Sequence, residues 1–66
     1  MKIHYDEKVD ALYIRLDESD IIESEEVKEG IILDYDKNNQ VVGIEVLNVG
    51  KRIRIPELKK VQFELA

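Results

Sequence analysis

Hydrophobic residues in this chain recur at every second position in short runs, the spacing of strands with one buried face. In residues 11 to 16, Leu12, Ile14 and Leu16 fall on one side and Ala11, Tyr13 and Arg15 on the other. Residues 2 to 5 set Ile3 and Tyr5 against Lys2 and His4. The polar stretch Asp6-Glu7-Lys8 between these runs predicts a hairpin whose loop is longer than two residues. From Ile21 to Lys28 the alternation is rougher, with Ile21, Glu23, Glu25 and Val27 on one side and Ile22, Ser24, Glu26 and Lys28 on the other. An edge strand fits this best, its charges keeping an open edge from pairing at random. An acidic helix from Ser19 is the competing reading, and the adjacent Ile21-Ile22 pair weakens it.

After Gly30, residues 31 to 36 form a further strand with Ile31, Leu33 and Tyr35 on one face. Lys37-Asn38-Asn39-Gln40 supplies turn residues that tolerate a left-handed backbone, and residues 41 to 47 return as the second arm of the clearest hairpin. Gly43 inside that arm predicts a bulge or a close approach by Tyr13 or Tyr35. The two hairpins echo each other: Tyr5-Asp6 leads through a polar turn to Leu12-Tyr13-Ile14, and Tyr35-Asp36 leads to Gly43-Ile44-Glu45-Val46. Beyond Gly50, Pro56 opens a helical turn through Lys60, and Val61, Phe63 and Leu65 then alternate as a strand does. The alternative is one helix from Pro56 with Leu58, Val61 and Leu65 at helical spacing, which makes the fold α+β. In either form this segment has to cover apolar surface that the sheet leaves open. The expected fold is therefore mainly β: one domain over residues 1–66, a small antiparallel meander of five to six strands with a short C-terminal helical turn or helix.

The ordered set Tyr5-Asp6, Asp10-Ala11-Leu12-Tyr13-Ile14, Gly30-Ile31-Ile32-Leu33-Asp34-Tyr35-Asp36 and Gly43-Ile44-Glu45-Val46-Leu47 resembles a family of very short bacterial and archaeal proteins, the domain of unknown function twenty-two eighty-three. The resemblance runs from residue 1 to about 50 and leaves residues 51 to 66 outside it. It implies the fold and carries no activity, substrate or catalytic residue. Members of such families sitting beside small toxin-like proteins implies an antitoxin or partner-binding role.

Size and charge sharpen the picture. A chain of 66 residues buries only about 60% of the surface its unfolded form exposes, and without cysteine it has no disulfide or thiolate metal staple. Self-association is the remaining common support, so a homodimer burying a shared sheet face is expected. The formal charge of −5 argues against nucleic acid as the main ligand. That charge is unevenly spread: Asp17, Glu18, Asp20, Glu23, Glu25, Glu26 and Glu29 crowd one stretch, and Lys51, Arg52, Arg54, Lys59 and Lys60 another. Either these regions complement each other within the fold or across a dimer, or the acidic one takes a basic partner. No apolar run approaches the ~20 residues of a spanning helix, and no signal-peptide pattern opens the chain, so no membrane contact and a cytoplasmic location are expected.

Candidate chemistry is sparse. Asp34, Asp36 and Asn38 with Glu45 match four positions of a calcium loop, but Asn39 stands where glycine belongs and the flanks are strands. His4, the lone histidine, has Asp6, Glu7 and Asp10 nearby for a metal site or an acid/base pair, and it falls on a solvated face. Ser19 and Ser24 lack a glycine-flanked elbow, and carboxylate pairs such as Glu23 with Glu25 need a cleft to do glycoside chemistry. Lys51-Arg52-Ile53-Arg54-Ile55 reads as a strand with one basic face. No residue is assigned to catalysis, to a cofactor or to a metal. The expected function is a protein-interaction module that engages a small basic partner through Glu23, Glu25 and Glu26. The alternatives are a small enzyme or ligand-binding protein with its site at a dimer interface, and a purely structural homodimer.

Overall fold

The computed structural model describes all 66 residues. Five antiparallel strands, β1 (Lys2–Asp6), β2 (Ala11–Arg15), β3 (Glu23–Lys28), β4 (Ile31–Tyr35) and β5 (Val41–Leu47), form one sheet in the order β1-β2-β5-β4-β3. Two short 3-10 turns follow at Val49–Lys51 and Ile55–Lys59. The predicted hairpins are β1-β2 and β4-β5, and they meet at the non-sequential β2-β5 pair, where Leu12 faces Val46 and Ile14 faces Ile44. The two hairpins thus lie on either side of the β2-β5 pairing, with β3 added outside β4. The strand expected over Ile21 to Lys28 is β3, an edge strand, and all six of its residues are exposed. No helix is long and apolar enough to cross a membrane.

Register fixes the faces. Ile3, Tyr5, Leu12, Ile14, Ile44, Val46, Ile31 and Leu33 pair across neighbouring strands on one side. His4, Tyr13, Glu45, Ile32, Asp34 and Ser24 lie on the other. At Gly43 both predicted devices occur together. The register shifts opposite Asp34 and Tyr35, leaving Val42 as an extra residue, and the Tyr13 hydroxyl closes over the glycine. The bulged Val42 carbonyl accepts the amides of Leu16 and Asp17, at 2.8 and 3.4 Å.

Three expectations are corrected. The sixth strand at Val61, Phe63 and Leu65 does not form, because residues 61–66 have no strand alongside them, and neither does a single helix from Pro56. Residues 51 to 55 are not a basic strand: Lys51 closes the first 3-10 turn, and Arg52 turns back on the chain. The acidic and basic stretches do not neutralise each other within the chain, whose one ion pair joins Lys60 to Glu57 at 3.6 Å.

Candidate functional site

On the polar face the network centres on Asp34, 8% exposed and next to last in β4. Gly43 stands opposite it, and a side chain there would begin 2.5 Å from the Tyr13 hydroxyl and 2.6 Å from Asp34 Oδ2. The bare backbone is what lets Tyr13, on β2, reach across β5 to donate to Asp34 Oδ2 at 2.8 Å. Ser24 on β3 donates to Asp34 Oδ1 at 2.6 Å, and an Arg15 guanidinium nitrogen donates to the Tyr13 oxygen at 3.3 Å. Burial pushes the Tyr13 phenol above its ordinary value; the Arg15 hydrogen bond pulls it back and Asp34 adds to the rise. With each Asp34 oxygen accepting one hydroxyl proton, the group ties β2, β3 and β4 together across β5.

Other polar residues are spent on turns. Asp36 Oδ1 accepts the amides of Asn38 and Gln40 at 2.8 and 3.0 Å. Asp10, in the left-handed region at φ 54, accepts the Tyr5 hydroxyl at 2.7 Å and the Gly50 amide at 3.0 Å. That first bond, more than burial, pushes the Tyr5 phenol up to about 12. The Ser19 hydroxyl and neighbouring amides hold the Asp17 carboxyl below its usual value.

The calcium-loop residues consequently do not converge: Asp34 serves the sheet, Asp36 serves its own turn, and Glu45 lies opposite Tyr13 and Ile32. His4 is exposed in a shallow cleft with Lys2, Tyr13, Arg15 and Glu18. Of its supposed partners, Asp6 accepts the Lys8 amide at 3.0 Å and Asp10 holds Tyr5. No three histidine or carboxylate side chains gather where they could hold a metal ion.

Two surfaces remain uncommitted. The first is the apolar face. Leu12, Ile14, Ile31, Leu33, Ile44 and Val46 line its centre, yet each is only half-buried, and the fully buried apolar residues are Ala11, Val42 and Val49. Leu58 and Val61 cover part of the β1-β2 half, leaving a cleft of about 400 Å³ lined by them with Ile3, Tyr5, Leu12 and Ile14. Over β5 and β4, Ile31, Leu33, Ile44 and Val46 stay half-buried.

The second surface is the β3 edge, where the structure places all three predicted partner-binding residues. Glu25 pairs with Leu33 and Glu23 with Tyr35, so both border the apolar face. Glu26 belongs to the polar side, and its carboxylate accepts the Gly30 amide at 3.0 Å, fixing the turn into β4. The alternation in the sequence locates the apolar face and the edge. The Asp34 network gave no signal beyond Gly43, because its members come from separate strands.

Neither the curated proteins nor the solved structures contain a match to this chain. The family model described as Protein of unknown function (DUF2283) matches residues 2–49, which takes in all five strands and stops at the first 3-10 turn. With that match over more than half its length, the chain belongs to the DUF2283 family.

Proposed function

We propose that this chain is a protein-interaction module that associates with a second copy through its apolar sheet face and accepts an extended basic segment at its acidic β3 edge. Surface area carries the first part. A compact chain of this mass exposes about 4,300 Å², whereas this one exposes 5539 Å². The excess, roughly 1,200 Å², is more than the ~800 Å² per partner of a standard interface. The radius of gyration agrees: 12.7 Å against roughly 11 Å for a compact domain of 66 residues. The molecule is a slab of 36 × 31 × 19 Å, and two such slabs stacked at the usual ~10 Å sheet separation make a β-sandwich. Sedimentation of the full chain across concentrations tests this. A dimer mass is expected, weakened by Ile44→Asp at the centre of the face, and a monomer throughout overturns it.

The edge supports the second part. Every residue of β3 is exposed, its outer side has no strand beside it, and the carboxylates of Glu23 and Glu25 make no ion pair. An added strand gains main-chain hydrogen bonds while the acidic side chains steer a basic one into place. A small basic protein held there in an antitoxin-like manner fits this chemistry. A pull-down with the full chain that returns no stoichiometric basic protein, while Glu23→Lys/Glu25→Lys behaves identically, overturns that role.

A further inference from the structure

We infer that residues 61–65 of one copy add as a sixth strand to the β3 edge of a second copy; the inference rests on the self-association proposed above and names what occupies the acidic edge. The segment has a strand's pattern without a strand's partner. Val61, Phe63 and Leu65 alternate with Gln62 and Glu64, yet no backbone hydrogen bond involves residues 61–66. Phe63 and Leu65, 76% and 84% exposed, are the most exposed large hydrophobic residues of the chain.

Position decides whose edge is filled. Leu58 and Val61 line one cleft with Ile3, Tyr5, Leu12 and Ile14, on the apolar side of the sheet. Their backbone therefore stands on the side where a second sheet, packed face to face at about 10 Å, would sit. To join the edge of its own β1 the segment would have to drop out of that layer and pull Val61 off the apolar face. Staying in the layer, it runs beside the sheet of the second copy.

The same two residues decide which edge it meets. Since they occupy the β1-β2 half of the face, a second copy is left the β5-β4-β3 half, and a two-fold contact must use that half on both sides. With the two-fold axis along the strands, the second copy's β3 becomes the strand nearest the segment. A two-fold axis across the strands would instead bring the β1-β2 halves, with their covering residues, into collision.

Charge and length fit. Lys59 and Lys60 lead into the segment, and β3 carries Glu23, Glu25 and Glu26 with no cation paired to them. Five residues suffice to span most of the six of β3. Pairing there would place Phe63 or Leu65 beside the stems of Glu23 and Glu25 of the second copy, on the same face as Leu33 and Tyr35. Lys59, which pairs with no carboxylate of its own chain, is then carried to the acidic edge of the other.

The test uses an equal mixture of isotope-labelled and unlabelled full chains, read by NMR. Contacts from the Phe63 ring of one copy to Glu23 or Glu25 of the other are expected. The amides of residues 61–65 that pair with β3 should exchange at least ~10-fold more slowly than in a free segment. The double variant Phe63→Asp/Leu65→Asp, altered only at exposed positions, should remove that protection and expose the outward amides of β3. A dimer whose segment exchanges at the free rate, or whose Phe63 contacts lie only within its own chain, overturns the inference and leaves the self-association standing. A monomer at every concentration overturns both.

Discussion

Gly43→Ala is the sharpest single test of how the sheet is held together. The new methyl carbon would stand 2.5 Å from the Tyr13 hydroxyl and 2.6 Å from Asp34 Oδ2, both far inside contact distance. These two atoms are hydrogen-bonded to each other, so neither can retreat without breaking the bond. Loss of a hydrogen bond to a charged group costs about 1.5–3 kcal/mol, and overfilling a packed site costs about 1–3 kcal/mol. Because both costs fall on the same two atoms they overlap, and a loss of about 2–4 kcal/mol is expected, large beside the roughly 3–10 kcal/mol total stability of a chain this short. At about 4–8 °C per kcal/mol, the melting temperature falls by roughly 10–25 °C. Denaturation should be followed at fixed protein concentration, because any association adds to apparent stability. The decisive comparison is a double-mutant cycle with Tyr13→Phe, which removes the hydroxyl in advance. Gly43→Ala should then cost about 1–2 kcal/mol less than in the native background. A Gly43→Ala change below about 0.5 kcal/mol, or additivity with Tyr13→Phe, would refute the reasoning.

Two further outcomes follow from the same bonds. The Tyr5 phenol is raised from 10.0 to about 12 by its bond to Asp10, so the folded form holds that proton more tightly than the unfolded chain does. The resulting stability is complete below pH 10 and lost as pH rises towards 12; tyrosinate absorbance should show this late titration, and Tyr5→Phe should remove one tyrosine's share of it. Asp36→Ala frees the Asn38 and Gln40 amides and is expected to cost about 1–2 kcal/mol by chemical denaturation. An unchanged midpoint would show that the turn holds without its carboxylate.

The five strands, their faces and the two hairpins were legible in the sequence because each rests on local alternation and nearby turn residues, as at Leu12-Tyr13-Ile14 and Asn38-Asn39. The acidic edge was legible too, since a strand carrying Glu23, Glu25 and Glu26 cannot pack between two others. Tertiary structure alone decided the rest. The central β2-β5 pairing joins residues about thirty positions apart, and Asp34 acquired its partners from β2 and β3, contacts that no local pattern encodes. The clearest case is Val61, Phe63 and Leu65, whose alternation announces a strand while this chain offers no edge beside it. A pattern of side chains fixes how a segment will pair, and the pairing itself is formed only where another backbone stands within hydrogen-bonding reach.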